Sequence, residues 1–180
     1  HPIIFMQCGP VRYRITAKQG IKMQPFEHRV IFRETDFRMT QSFKNKKLTI
    51  HEVYNALIGD QERNMLIFDD VMKCIVEEKR SPILITERKE HLQMFEKKFR
   101  PLVRNVIIFT GGMGQKQRIA LYEKIKNIQD DEERLLVATG KYLGEGFDDA
   151  RLDTLFLTMP ISWKGTLAQY AGRLHRTHYN

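Results

Sequence analysis

In the second quarter of the chain the hydrophobic positions recur every three to four residues, which indicates two amphipathic helices in succession. Thr49 and Glu52 have the spacing of a capping box, so the first helix should begin there and end near Gly59. Asp60 can cap the second helix, whose apolar positions extend over 65–76. A break should follow at Pro82, because proline cannot continue a helix.

Short apolar runs alternate with amphipathic stretches in the rest of the chain. The runs predict strands at 83–86, 106–110, 135–139 and 154–159, and the stretches predict helices at 87–99, 115–127 and 165–176. Strands that are apolar throughout and are separated by helices indicate a mostly parallel central sheet covered on both faces, which is a three-layer α/β fold. Ligands of such sheets bind at the carboxyl ends of the strands, so we expect the site residues there.

Residues 1–40 do not follow this pattern and predict an extended lead-in segment without a core of its own. Short strands are predicted within it at 2–6 and 29–35, with a turn at Gly9-Pro10. We therefore expect two parts, a connecting segment over 1–40 and one compact α/β domain over 41–180.

Composition adds expectations about partners and setting. The 180 residues are 42% hydrophobic and 29% charged, which favours a folded domain over a disordered chain. The net charge of +8 favours a polyanionic partner such as nucleic acid, although a basic surface can also serve solubility alone. The apolar runs are too short to span a membrane, and Cys8 and Cys74 do not have C-x-x-C spacing, so we expect a reduced, cytoplasmic setting without membrane contact.

The most specific pattern lies near the end of the chain, where Gln169, Gly172, Arg173 and Arg176 spell Q-x-x-G-R-x-x-R. Two arginines three residues apart on a helix lie on one face, where their guanidinium groups can bind a polyphosphate. By itself, such a pair also fits an exposed charged helix face. The adjacent glycine and the motif upstream favour a functional site.

A glycine-rich loop follows the strand predicted at 135–139. Beyond Thr139, the glycines Gly140, Gly144 and Gly146 permit tight turns and close backbone approach up to Asp148. Backbone amides and a hydroxyl at the carboxyl end of a strand can hold a phosphate. An ordinary strand-to-helix loop that happens to contain glycines is the alternative.

In this order and about thirty residues apart, the two patterns resemble motifs V and VI of the superfamily-two helicases and translocases, which couple ATP hydrolysis to movement on nucleic acid. Over residues 62–178 the chain resembles the second RecA-like domain of bacterial helicases related to DNA-repair and type III restriction motor subunits. The resemblance implies a RecA-like fold and the C-terminal motor half of an ATP-dependent helicase or translocase. DNA is the expected substrate, and RNA is also compatible with the motifs.

The resemblance also implies a role for each motif residue. Arg176 would be the arginine finger at ATP, Arg173 its partner on the phosphates or in the cleft, and Gln169 an ordering residue of this catalytic set. The remaining contacts to the nucleotide would come from Gly144, Gly146, Asp148 and Gly172, with the aspartate at the ribose. Contacts to the nucleic-acid backbone would come from Thr139 and Lys141.

Two further strand ends resemble family positions that touch nucleic acid. Thr86 and Arg88 follow the strand at 83–86 as in motif IV, and Thr110 with Gly111 matches a place where small residues let a nucleic-acid strand pass. Thr86 can instead serve only as the cap of the next helix. Tyr170 can stack on a base, but core packing or anchoring a loop is the usual role of such a residue.

The sequence departs from a complete motor in its phosphate-binding parts. It has no G-x-x-x-x-G-K-[ST] loop; residues 65–70 imitate a Walker B strand but continue a helical period, and the acidic run at 130–133 precedes its strand. The chain begins at His1 rather than methionine, so we expect a fragment of a longer protein. ATP and Mg²⁺ should then be held mainly by an N-terminal RecA-like domain of the same protein, and the fragment alone should be inactive.

Two rival functions remain open on the sequence alone. The chain can be a non-catalytic nucleic-acid-binding module with a degenerate helicase fold, or a nucleotide-binding α/β regulator that does not bind nucleic acid. A metal site is not expected, because His175 and His178 form an isolated pair and zinc takes four ligands.

Overall fold

The computed structural model describes residues 29–39, 49–140 and 149–161, together with Tyr170 and Leu174. The chain divides into two units, His1–Glu34 and Thr35–Asn180, and the described helices and strands all belong to the second. Residues 29–39 contain neither helix nor strand, so the strand predicted at 29–35 is wrong. Alternation produces a strand only where a neighbouring strand pairs with the backbone, and Val30 and Phe32 remain 76% and 88% exposed.

The described part of the second unit contains four helices and four strands, which alternate between residues 61 and 139. Its helices are α1 Ile50–Gly59, α2 Gln61–Val76, α3 Lys89–Phe99 and α4 Gln115–Lys126. Its strands are β1 Pro82–Thr86, β2 Asn105–Phe109, β3 Arg134–Thr139 and β4 Thr154–Leu157. The sequence predicted all eight with small shifts of their ends, and the strand predicted at 2–6 lies outside the described residues.

Two boundaries differ from the prediction. Helix α2 ends at Val76, five residues before Ser81, and Pro82 begins β1 instead of only breaking a helix. The imitation of a Walker B strand at 65–70 lies inside α2, which confirms its helical interpretation. Tyr170 is helical but Leu174 lies in a bend, so the helix predicted over 165–176 does not continue unbroken through Leu174.

Side-chain caps fix where the first two helices begin. The backbone N–H of Glu52 donates to Thr49 Oγ1 at 3.3 Å, and the backbone N–H of Thr49 donates to Glu52 Oε2 at 2.8 Å, which completes the predicted capping box. Asp60 Oδ1 accepts from the backbone N–H of Arg63 at 2.8 Å. Each cap typically stabilises its helix by about 1 kcal/mol.

The four described strands form one parallel sheet in the order β2-β3-β1-β4. Thr86 at the end of β1 is paired with Thr139 at the end of β3, and Ile85 is paired with Leu157 at the end of β4. Parallel pairing therefore brings the carboxyl ends of all four strands, and the loops that follow them, to one edge of the sheet. We call this the carboxyl edge.

Each face of the sheet packs against a different set of helices. On one face Leu84, Leu135 and Val137 pack with residues of α2 and α3, among them Phe95 and Phe99, which are fully buried. The opposite face buries Ile83, Ile85, Leu136 and Ala138 with Ile125 of α4 and with Tyr170. Burying one such large apolar side chain contributes about 1.5–3 kcal/mol, so the two layers hold the strands, and thus the carboxyl edge, in register.

Candidate nucleic-acid interface

Two hydrogen bonds tie together the loops that follow β1, β2 and β3. The backbone N–H of Gly140 donates to the carbonyl oxygen of Thr86 at 3.0 Å. The backbone N–H of Gly111 donates to Thr139 Oγ1 at 3.3 Å. Three of the predicted nucleic-acid residues, Thr86, Gly111 and Thr139, are thus brought together at the carboxyl edge.

The Thr139 hydroxyl has a proton that no described residue accepts. Thr139 is 9% exposed, and its oxygen accepts from Gly111. A hydroxyl has one proton to donate in addition to its two acceptor positions. Among the described residues no acceptor for that proton is found, so the group can donate to a phosphate oxygen placed at this edge.

The loop after β2 leaves open space beside these hydrogen bonds. Thr110 is half-buried and Gly111 is exposed. A Cβ atom built on Gly111 or Gly112 would meet no atom within 4 Å. Gly112 has a φ of +92°, which L side chains rarely adopt, so the loop conformation requires glycine at that position.

Thr86 is buried, and its side chain points inward. Its hydroxyl lies 2.9 Å from Nδ1 of His91, a fully buried residue of α3. The N-cap position of α3 is Arg88, so Thr86 is not the N-cap residue, although its Oγ1 accepts from the backbone N–H of Arg88 at 3.5 Å. The prediction that Thr86 contacts nucleic acid stays a prediction, and its hydroxyl already has an internal partner.

A chain of hydrogen bonds determines the tautomer of His91. The side-chain amide of Asn64 donates to the carbonyl oxygen of Ile58 at 2.7 Å, so Asn64 Oδ1 is the atom that faces His91 Nε2 at 2.9 Å. His91 therefore carries its proton on Nε2, and its Nδ1 accepts from the Thr86 hydroxyl. Burial, and secondarily the charge of Arg63, lower the pKa of His91 to about 4, so the ring is neutral at pH 7.

Arg88 is held at this edge by helix α1. Its guanidinium lies over the Tyr54 ring, 5.4 Å from the centroid, and its Nη2 lies 2.5 Å from His51 Nδ1. The Tyr54 hydroxyl in turn donates to the carbonyl oxygen of Pro160 at 3.4 Å, beyond the end of β4. Arg88 Nε is buried without a hydrogen-bond partner among the described residues.

Arg63 secures the end of β4 from α2. Its Nη2 donates to the carbonyl oxygen of Thr158, while the backbone N–H and hydroxyl of Thr158 donate to the Ile85 carbonyl at 3.1 and 2.8 Å. Burial lowers the pKa of Arg63, and the nearby Asp60 carboxylate opposes that effect. The sequence pattern did not single out Arg63, His91 or Asn64, since polar residues on amphipathic helices are ordinarily solvated.

Tyr170 anchors the region of the second motif onto the first. The Tyr170 side chain is 4% exposed, and its hydroxyl donates to the carbonyl oxygen of Gly140 at 2.8 Å. Burial, followed by the charge of Glu87, raises the pKa of Tyr170 to about 12, so the hydroxyl stays protonated. The base-stacking interpretation of Tyr170 is wrong for this structure, because the ring belongs to the core.

A buried ion pair fixes the chain where it leaves the glycine-rich loop. Arg134 Nη1, at the start of β3, lies 2.6 Å from Asp149 Oδ2, and the two side chains are 1% and 7% exposed. Burial lowers the pKa of Arg134, and Asp149 opposes that effect. Arg151 adds bonds from its guanidinium to the carbonyl oxygens of Ile125 and Ile128, both at 2.7 Å, at the end of α4.

The other predicted site residues lie outside the described residues, so their roles stay predictions. They are Lys141, Gly144, Gly146, Asp148, Gln169, Gly172, Arg173 and Arg176. Within the described ranges no group of three or more histidine, cysteine, aspartate or glutamate side chains could hold a metal ion. None of the described helices is both long and apolar enough to cross a membrane.

The sequence matches a protein family and several curated relatives. Residues 66–178 match the family of helicase conserved C-terminal domains. Transcript termination protein A18 of ectromelia virus (strain Moscow) is 30% identical over 122 residues, which cover 65% of this chain and 23% of the viral protein. The chain thus spans less than a quarter of the length of the curated relatives it matches.

Solved structures show the same architecture. The C-terminal part of the Fun30 ATPase domain superposes with a TM-score of 0.56 at 15% identity, over 68% of this chain and 38% of that one. T4 UvsW superposes with a TM-score of 0.54 at 15% identity, over 72% and 26% of the two chains. The predicted α/β fold is confirmed as that of the RecA-like C-terminal domains of helicases. Because the family match covers more than half of its residues, the chain belongs to the helicase conserved C-terminal domain family.

Proposed function

We propose that this chain is the C-terminal motor half of an ATP-dependent nucleic-acid helicase or translocase, with DNA as the first substrate to test. The observation that carries the proposal is the pair of hydrogen bonds that joins the loops after β1, β2 and β3 at the carboxyl edge. It gathers the loops after three strands around Thr139, whose hydroxyl proton has no acceptor among the described residues. Membership of the helicase family makes nucleic acid the partner that this edge would bind.

The nucleic-acid strand would lie along the carboxyl edge. Thr139 would donate its proton to a backbone phosphate, Lys141 would add charge beside it, and the open space at Thr110 and Gly111 would admit the strand. Arg88 would add a second phosphate contact, because it is preorganised by the Tyr54 ring. The net charge of +8 supports such contacts, which carry no base sequence information.

The nucleotide side of the proposal rests on the family resemblance. ATP with Mg²⁺ would bind between this domain and an N-terminal RecA-like domain of the same protein, and it supplies the free energy for movement. Arg176 and Arg173 would stabilise the charge on the transferred phosphoryl group, with Gln169 ordering them, an effect worth about three to five decades in rate. The nucleotide would also contact Gly144, Gly146, Asp148 and Gly172.

The test is ATP hydrolysis by the intact parent protein, measured with and without single-stranded DNA. We expect strong stimulation by DNA in the wild type and a loss of about a thousandfold in Arg176→Ala, because the finger acts on the transition state. Arg104→Ala is the matched control, since Arg104 is 71% exposed and pairs only with Glu132 among the described residues.

The same measurement, repeated with RNA and accompanied by a binding titration with single-stranded DNA, separates the rival functions. DNA binding without hydrolysis in the wild type would favour the non-catalytic binding module. Hydrolysis that neither DNA nor RNA stimulates would favour the nucleotide-binding regulator. Unchanged stimulation in Arg176→Ala would remove the arginine finger from the proposal.

A further inference from the structure

Arg88 is held at both ends of its side chain. Its backbone N–H donates to Thr86 Oγ1 at 3.5 Å, and its carbonyl oxygen accepts from the backbone N–H of Leu92 at 3.1 Å in the first turn of α3. The guanidinium at the other end lies on α1, over the Tyr54 ring and beside His51 Nδ1. One helix therefore fixes the backbone of this long, flexible side chain, and another helix fixes its charged group.

Helix α1 is anchored by contacts that do not involve Arg88. The Tyr54 hydroxyl donates to the carbonyl oxygen of Pro160 at 3.4 Å, beyond the end of β4. Leu57 of α1 is buried, and the side-chain amide of Asn64 in α2 donates to the carbonyl oxygen of Ile58 at 2.7 Å. The position of the Tyr54 ring is therefore set by β4 and α2, so the ring can serve as a fixed surface for the arginine.

The described groups that hold Arg88 do not neutralise its positive charge. Tyr54 offers a ring face, and His51 Nδ1 is the acceptor in its contact because a guanidinium has donors only. Among the described residues no carboxylate forms an ion pair with Arg88, and its Nε is buried without a hydrogen-bond partner. The side chain is thus ordered while its charge remains available to an anion.

We propose that α1 is a positioning helix of the nucleic-acid interface, whose Tyr54 ring holds the Arg88 guanidinium in place for a backbone phosphate. This inference rests on the proposed function, in which Arg88 contacts a phosphate. Ordering a flexible side chain only on binding lowers affinity by about twofold to tenfold, and the ring removes that cost in advance. Helix α1 precedes residues 66–178, so the match to the helicase family does not include it.

The test is a titration of labelled single-stranded DNA with the intact parent protein, followed by fluorescence anisotropy at several salt concentrations. Tyr54→Leu removes the ring face and keeps an apolar side chain, so binding should weaken by about threefold. The complex would still neutralise the same phosphate, so the slope of log affinity against log salt should stay that of the wild type. A slope that falls as it does in Arg88→Ala would contradict the proposal, because the contact itself would then be lost.

Two control variants on α1 separate the ring from its surroundings. Tyr54→Phe keeps the ring and removes only the bond to Pro160, so its affinity should stay within about twofold of the wild type. Asn55 is exposed on the same helix, and Asn55→Ala should bind as the wild type does. Thermal unfolding of each variant shows whether the fold is retained. Equal losses of affinity in Tyr54→Phe and Tyr54→Leu would overturn the role of the ring face.

A double-mutant cycle tests whether the ring acts through the arginine. In the Arg88→Ala background, Tyr54→Leu should cause no further loss of affinity, because the guanidinium that the ring positions is absent. Additive losses from the two substitutions would show that Tyr54 affects binding by another route and would overturn the inference.

The outcomes also distinguish the inference from the function on which it rests. A wild-type parent protein that binds neither DNA nor RNA overturns the proposed function and the positioning role with it. A wild type that binds, with an equally strong Arg88→Ala variant, removes the phosphate contact of Arg88 and therefore the positioning role. Binding that is weakened by Arg88→Ala and unchanged by Tyr54→Leu overturns the positioning role alone.

Discussion

At the scale of single residues, we propose two tasks for the Thr139 hydroxyl. It accepts from Gly111, which holds the loop after β2, and its proton, which no described residue accepts, would bind a phosphate. Thr139→Val keeps the shape but removes both functions, so we expect single-strand affinity to fall about tenfold. Thr139→Ser keeps the hydroxyl and should bind as wild type does. Fluorescence anisotropy with labelled single-stranded DNA measures both, and equal affinities for the two variants would contradict the role.

The buried His91 makes stability depend on pH. The pKa of its ring is about 4 in the folded chain, against an ordinary value near 6.5 when it is unfolded. Between these values the unfolded state binds a proton that the folded state does not. The free energy of unfolding should therefore fall as pH falls from 7, by about 2 kcal/mol at pH 5 from this group.

Denaturant unfolding at pH 7 and at pH 5 tests this, with His91→Gln as the matched variant. Glutamine removes the titrating group and keeps a polar side chain near Asn64. The variant can be less stable at pH 7, but its loss between pH 7 and pH 5 should be smaller than that of the wild type. Equal losses in the two proteins would show that His91 is protonated with little cost in the folded state.

At the scale of elements, helix α1 shows what local patterns convey and what they omit. The capping box at Thr49 and Glu52 predicted where the helix begins, because both partners lie within one turn. Nothing in its sequence indicated that His51 and Tyr54 contact Arg88, more than thirty residues later in the chain. Helix α1 also precedes residues 66–178, which match the helicase family.

The same division between local and distant information runs through the whole sheet. Apolar runs and helical periods are local, so the described strands and helices were predicted nearly at their observed positions. The strand order and the bond from Gly111 to Thr139, 28 positions apart, arise from distant contacts that no period encodes. Buried polar groups such as Arg134 were missed because their residue type ordinarily indicates solvent.

The strand wrongly predicted at 29–35 shows the converse limit. Its alternation has the period of a strand, but a strand exists only with a partner for its backbone. Residues 29–39 have no helix or strand, and Val30 and Phe32 are largely exposed. Hydrophobic alternation therefore indicates which face of a strand would be buried. It does not indicate whether a neighbouring strand is placed to pair with its backbone.

At the scale of the whole molecule, the positive charge should set how binding responds to salt. Each phosphate neutralised on a single strand contributes about 0.7 to the negative slope of log affinity against log salt concentration. If Arg88 binds one phosphate, Arg88→Ala should reduce the magnitude of that slope by about 0.7 and weaken binding similarly for every base sequence. Anisotropy titrations from low to moderate salt, with two unrelated DNA sequences, measure both quantities.

The matched control is Arg100→Ala, which removes the same charge from the far end of α3. Arg100 is 57% exposed and pairs with Glu96, one turn earlier. Because α3 begins at the carboxyl edge and runs away from it, a charge at its C-cap lies distant from the proposed strand of nucleic acid. If long-range attraction alone were at work, both substitutions would lower the affinity to a similar degree. Neither would then change the salt slope by the amount expected for one phosphate contact. A slope whose magnitude falls for Arg88→Ala but not for Arg100→Ala therefore locates the phosphate at the carboxyl edge. Equal slopes in the two variants would contradict that location.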